Sequence, residues 1–471
     1  MKKFILQTIA FFLFLIFSDL VKAQDDMTIY NLSSVPQSNY DNPAFMPDCK
    51  FHIGCLPIVF VPILSSNYTN ISNSGFRWDN AIREDKAKDS LYLDINKLLD
   101  GLSKKNYLSI NQQIELISFG FKIKRTHYVN FSLTETFNFR FCYPKDFLLL
   151  ANGNSQFIGS EANLNGVGID ITHCREFAIG YTNQIDKKWT VGGKAKLLFG
   201  LSNMWTKESK ATLSVDNDYY DLTANSNLVV FTSAPEKLYD TFNDTTGNTS
   251  ITKQDFSKYM LNFNNPGFGI DLGVNYKLNE KWSFAGSIID FGYIFWKTGT
   301  RKFTSADTSF TFRGIDINEM IRNDTIKFPD VLRKLVDSIG NIFKIDEKNK
   351  NYASPLCPKI YLSATYTISK KDRVSFIFRG DIYKKNIHPA FSLAYNRKFG
   401  NIIDLAISYS YMNKDFLNLG FGSSVRFGPF QIFLASDNIL ATIIPYHTKN
   451  INVHFGCNYV FNYKKSYPLM K

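Results

Sequence analysis

From Phe268 to Leu278 the chain alternates. Phe268, Ile270, Leu272, Val274, Tyr276 and Leu278 are apolar, and Gly269, Asp271, Gly273, Asn275 and Lys277 fill the other parity. A repeat of two puts the two sets on opposite faces of a β-strand, one greasy and one wet. Asn279-Glu280 turns the chain. The return strand then carries Trp282, Phe284 and Ile288 on one parity but Phe291, Tyr293 and Phe295 on the other. The phase slips by one residue near Asp290, which is the mark of a β-bulge.

The same pattern recurs along most of the sequence. Strands are expected at Gln113–Ile123, His127–Phe141, Gly166–Thr182 and Trp189–Trp205, with a weaker one at Phe51–Val61 and an extra hairpin between Thr206 and Phe231. The C-terminal third reads as a meander: Cys357–Ser369, Arg373–Tyr383, Ile387–Phe399, Asn401–Met412, Asp415–Phe427, Pro429–Asp437 and Ile451–Phe461. In His127–Phe141 the apolar parity is interrupted only by Glu135, which calls for a rim position or a partner contact.

Loop lengths add orientation. Turns after Leu278, Ser369, Phe399 and Phe427 are short, whereas Thr232–Pro266, Thr300–Leu356 and Asn438–Asn450 are long, and up-down alternation sorts all the long ones to one end. Short turns inside and long loops outside is the rule of bacterial outer-membrane barrels. The count gives an all-β, transmembrane antiparallel β-barrel of about 14 strands, or 16 if the Thr206–Phe231 hairpin belongs to the wall, with both ends of the barrel chain at the short-turn side. Short helices are expected in the outer loops, capped by Asp94 ahead of Ile95, Leu98, Leu99 and Leu102, and by Asp330 ahead of Val331, Leu332, Leu335, Val336 and Ile339.

Composition suits this reading. Aromatics make up 15 % of the 471 residues, including 43 Phe and 25 Tyr, while the mean hydropathy of −0.17 says that only one face of each strand is greasy. The formal net charge of +12 is spread over turns and loops rather than gathered into a nucleic-acid stripe, and reads as a solvated surface or one facing anionic lipid. Lys2 and Lys3, the apolar run Phe4–Phe17 and Val21-Lys22-Ala23 form an export signal over residues 1–23. Residues 24–50 follow as an N-terminal segment, with Asn42 and Met46 held extended by the prolines after them. The barrel is assigned to 51–463 and a periplasmic tail to 464–471.

Asn42-Pro43-Ala44, the block Gly269–Gly292 and FGPFQIFLASDNI from Phe427 to Ile439 carry a likeness to known proteins. Through these residues the chain resembles the Bacteroidetes outer-membrane barrels of unknown function grouped with long-chain fatty-acid transporter (FadL)-like proteins. More distantly it resembles the PorP/SprF barrels of type IX secretion and gliding. The resemblance implies about 14 strands and a plug at Asn42, Pro43 and Ala44 tucked into the lumen. The tail after Phe461 departs from the terminal aromatic typical of transporter-like barrels.

The chemistry is sparse. Cys49, His52 and Cys55 suggest a metal, but in an extended segment the two cysteines lie about 20 Å apart with His52 on the other face, so no metal is assigned. Disulfides are allowed by an oxidising compartment, and Cys457 reads as a small lipid-facing residue. No nucleophile motif, phosphate loop or metal pair accompanies His127, His173, His388, His447 and His454, so the chain is read as no enzyme and without cofactors. The charges on the polar parity, Arg140, Asp271, Arg379, Asp381, Asp404 and Arg426, are expected to face the lumen as a salt-bridged filling or a substrate path. Two functions follow. One is passage of small hydrophobic molecules across the outer membrane, entering among the loops and leaving beside the bulge near Asp290. The other is a non-catalytic anchor for surface or secretion machinery. The expected partners are outer-membrane lipid, a hydrophobic small molecule and a cell-envelope protein, with no nucleic acid.

Overall fold

The computed structural model describes residues 27–54, 66–75, 82–85, 90–151, 155–215, 222–237, 239, 252–305, 308–309, 345–384, 386–413, 415–444 and 447–461. The signal at 1–23, Cys55, the helix capped by Asp330 and the tail 464–471 lie outside the described residues.

Antiparallel pairing runs from neighbour to neighbour and closes on itself. The wall begins with β1 (Phe51–Gly54) and β2 (Asn67–Asn73), which act as one stave because both pair with the same two strands. It continues through β3 (Lys105–Ile123), β4 (His127–Pro144), β5 (Gly168–Gln184) and β6 (Trp189–Val215). After β7 (Leu222–Ser233) come β8 (Pro266–Lys277), β9 (Trp282–Trp296), β10 (Thr300–Ser305), β11 (Ile345–Lys348), β12 (Tyr352–Pro355) and β13 (Lys359–Thr367). The last six are β14 (Asp372–Tyr383), β15 (Asn386–Phe399), β16 (Ile403–Met412), β17 (Asp415–Phe427), β18 (Phe430–Ser436) and β19 (Asn450–Phe461). β19 pairs with β1 and β2, giving a closed barrel of 14 strands in which β12 and β13 share one stave. Closure leaves no open edge, as a wall in hydrocarbon requires.

The Thr206–Phe231 region does not add two strands to the wall. β6 runs on to Val215 and β7 returns along it, then pairs with β10, which pairs with β11. These strands raise the wall above the long-loop end, so the count is 14 and not 16. No strand is expected from the sequence between Val61 and Gln113, yet Asn67–Asn73 and Lys105–Gln112 pair as wall. NYTNISN escaped the reading because its inward parity is polar and its outward parity carries little beyond Ile71.

The burial pattern is inside out. Leu272 is 57 % exposed and Phe291 60 %, while Asp271 between them in register is 1 % exposed. The bulge is real: Ile270 pairs with Phe291 and Leu272 with Ile288, and Asp290 takes a positive φ of 61°. The extra residue returns Phe291, Tyr293 and Phe295 to the outer face after the shift. Greasy outside and polar inside is the arrangement of a membrane-spanning barrel. Of the loop helices, Ile95–Asp100 is capped by Asp94, whose carboxylate accepts the Lys97 N–H at 3.2 Å. Its Leu98 and Leu99 pack with Tyr143 and Phe147, so the helix covers its own scaffold.

Candidate functional site

The lumen is filled by the chain's own N-terminal segment. Residues 27–44 are almost entirely buried, yet they form only a short helix, Met27–Tyr30, and a 3-10 turn, Pro36–Tyr40. Their polar groups are therefore satisfied by the wall. Asp437 accepts the backbone N–H groups of Met27 and Thr28 at 3.2 and 2.6 Å. Gln37 exchanges amide hydrogen bonds with Asn458 at 2.9 Å, and both Gln37 and the Tyr40 hydroxyl donate to Glu115. Ser287 donates to the Asp41 carbonyl at 2.5 Å. Partners on strands all round a closed wall put the segment inside it.

Asn42, Pro43 and Ala44 lie close against the wall. The Asn42 amide donates to the Gly286 carbonyl at 3.3 Å and accepts the Ala44 N–H at 2.9 Å, while the Pro43 carbonyl accepts from Thr182 at 2.5 Å. A Cβ at Gly192 would overlap the Pro43 carbonyl, and one at Gly273 would overlap the Asn42 side chain. Glycine is needed at both positions so that the two backbones can approach.

Around the bulge the inner wall carries a belt of opposite charges across five neighbouring staves. Lys196 contacts Glu176 at 3.4 Å, Asp271 at 2.9 Å and Asp290 at 2.6 Å, and Lys359 reaches Asp290 from the far side at 2.8 Å. Asp271 also accepts the Asp290 backbone N–H at 2.8 Å, tying the bulge down. Of the residues singled out in the sequence, Asp271 belongs to this belt. Arg379 and Asp381 brace each other at 2.9 Å, and the Arg379 guanidinium lies 5.4 Å from the Tyr361 ring, whose hydroxyl reaches Asp41 at 3.2 Å. Asp404 accepts the Asn396 amide at 2.7 Å and the Ser34 N–H at 3.4 Å. It shares a cavity of about 10 Å³ with half-buried Arg426. Arg140 stands apart between the rings of Tyr107 and Tyr383, 5.5 and 4.0 Å from their centres. Lys196, Asp290, Glu176, Lys359 and Glu115 were missed, although Lys196 and Glu176 sit on the polar parity of their strands.

One part of the lumen is apolar. Ile289, Tyr361, Ile377, Ala390 and Met412 form a patch on the wall, filled by Met27 and Tyr30 with Phe45 against it. Tyr30 stacks on Tyr361 at 5.6 Å and meets Phe45 edge-on at 4.8 Å. Ile289 immediately precedes the bulged Asp290.

Glu135 finds its partner on the outer face. Arg175 donates to it at 2.6 Å and His173 lies 3.5 Å away. The helix Lys253–Met260 and the residues just after it close over this group, with the Tyr259 hydroxyl 2.5 Å from His173 and the Phe263 ring 5.7 Å from the Arg175 guanidinium. His52 is buried against the Tyr128 ring, and among the described residues no cluster of His, Cys, Asp and Glu could hold a metal. Cys49, Cys142, Cys174 and Cys357 form no disulfide. Cys457 keeps the outward parity but is only 6 % exposed between its neighbours.

Among solved structures the chain is similar to the Pseudomonas putida toluene transporter TodX, with 11 % identity and a TM-score of 0.36 over 93 % of both chains. It is also similar to the Ralstonia pickettii toluene transporter TbuX, with 8 % identity and a TM-score of 0.40 over 91 % of this chain and 94 % of that one. A Pseudomonas aeruginosa FadL homologue matches with 8 % identity and a TM-score of 0.40 over 95 % of this chain and all of that one. No curated protein matches the sequence significantly. Residues 43–437, from Pro43 of the lumenal segment to Asp437 that anchors its start, match a family of unknown function, DUF5723, and the chain belongs to that family.

Proposed function

We propose that the protein is an outer-membrane barrel for the passage of small hydrophobic molecules, held shut by its N-terminal segment. The observation that carries this is the apolar patch in an otherwise polar lumen, lying beside the bulge and filled by Met27, Tyr30 and Phe45. When those side chains withdraw, the patch becomes a greasy site next to the one place where β9 departs from regular pairing. Asn42, Pro43 and Ala44 act as the fixed foot of the plug, and the stretch before them as its movable part. Arg379, Asp381 and Asp404 hold the wall and the plug together rather than handling substrate.

A second reading, a non-catalytic anchor for cell-envelope machinery, is favoured by the packing of the lumen, where the cavities beside Asp404 and beside Glu115 are about 10 Å³ each, room for one water. One experiment separates the two. Tyr30→Asp should expel the plug from the apolar patch, and the purified barrel should then bind a hydrophobic fluorophore such as N-phenylnaphthylamine at least about tenfold more tightly than the wild type. If neither protein binds it and a protein partner co-purifies in fixed stoichiometry, the anchor reading replaces passage.

A further inference from the structure

We propose that the short-turn end of the barrel is a docking surface for anionic phospholipid headgroups of the leaflet it borders. At that end Lys124 and Arg125, Lys187 and Lys188, Lys281, and Lys370 and Lys371 occupy exposed turn positions. The acidic residues at the same level are fewer and mostly engaged. Asp48 pairs with Lys398 at 3.0 Å and Asp372 with Arg397 at 3.4 Å. Asp186 accepts the backbone N–H groups of Lys188 and Trp189 at 2.7 and 2.6 Å. At the opposite end Lys237 pairs with Asp255, Arg301 with Glu347 and Lys348 with Asp346.

Position names the partner. Trp189, Trp282, Phe399, Phe427, Phe430 and Phe461 are exposed at the strand ends that lead into these turns, forming an aromatic girdle at the membrane boundary. The lysines follow within a few residues, at about 3.3 Å per residue, so their ammonium groups reach the phosphate layer just beyond the girdle. The charged turns, between β3 and β4, β5 and β6, β8 and β9, and β13 and β14, are consecutive along the short-turn end and span eight of the fourteen staves. Lipid surrounds the whole ring, and each exposed cation near an anionic surface adds to the attraction.

The test uses the mature barrel in neutral detergent, offered equal amounts of phosphatidylglycerol and phosphatidylcholine and stripped stepwise in native mass spectrometry. The wild type should retain phosphatidylglycerol in preference. The combined variant Lys124→Gln, Lys187→Gln, Lys188→Gln, Lys281→Gln, Lys370→Gln and Lys371→Gln should lower the retention ratio at least about tenfold, whereas Lys253→Gln with Lys258→Gln at the other end should leave it unchanged. Should the combined variant fail to fold, the wild type alone serves: raising salt from about 0.05 to about 1 M should erase its preference. An unaltered ratio in the folded variant, a preference indifferent to salt, or an equal loss in the outer-end control would overturn the proposal. So would an acidic protein that binds the wild type and not the variant while the lipid ratio stays the same.

Discussion

Gly192 lies against the carbonyl oxygen of Pro43, so close that any side chain there would occupy the space of the lumenal backbone. Gly192→Val should therefore displace the Asn42–Ala44 segment without touching the outer face. Overpacking of this kind costs about 1–3 kcal/mol. The barrel should keep its heat-dependent gel shift while its conductance in a planar bilayer rises well above that of the wild type. A variant that folds and conducts no more than the wild type would mean that the segment does not close the lumen.

Asp290 should resist substitution for two separable reasons. Its carboxylate serves Lys196 and Lys359, and its backbone sits at positive φ, which Asn tolerates and a β-branched residue does not. Asp290→Asn should lose about 1–3 kcal/mol with the charge-assisted bonds. Asp290→Val should lose more, because backbone strain adds to the same loss. Urea midpoints for folding into lipid vesicles would rank them, and equal midpoints for the two variants would remove the strain argument.

The two faces of β8 can be told apart by a pair of changes. Leu272, on the outer face, should not accept Arg, since a cation near the bilayer midplane costs about 2–4 kcal/mol. Asp271→Leu leaves Lys196 with Asp290 and Glu176 still beside it, so assembly should survive with reduced stability. Outer-membrane fractionation reads both, and tolerance of Leu272→Arg with loss of Asp271→Leu would invert the faces.

Outside the membrane, Asp255 gives a pH dependence of known sign. The ammonium of Lys237 and then the Thr252 hydroxyl and N–H hold its carboxyl down to about 2, in a capping box that starts the helix Lys253–Met260. A carboxyl lowered in the folded state contributes fully above its ordinary value near 3.8 and loses that contribution as pH falls through about 2. Pepsin cleavage near exposed Phe256 and Leu261 should be slow at about pH 3.5 and faster at about pH 1.5, and Asp255→Asn should be cleaved quickly at both. A wild type cut equally fast at both values would rule out the cap as the stabilising element.

The sequence by itself determined the barrel, because a period of two is local: Phe268 to Leu278 declares its faces whatever surrounds it, and the slip at Asp290 is a count of residues. It also determined which end holds the long loops, since chain length between strands needs no tertiary knowledge. What the faces meet emerges only from the folded chain. Asn67–Asn73 becomes wall through its register with β3 and β19, and its composition carries little of that. Arg379 and Asp381 were legible as partners because two residues on one strand share a face, whereas Lys196, Asp290 and Lys359 come from three different staves and meet only when the wall curves. Glu135 looked out of place for the same reason: its counter-charge, Arg175, lies forty residues on, and the ring that shields them comes from a loop beyond two further strands. The glycines at 192 and 273 acquired a cause only when the lumenal segment was found lying against them.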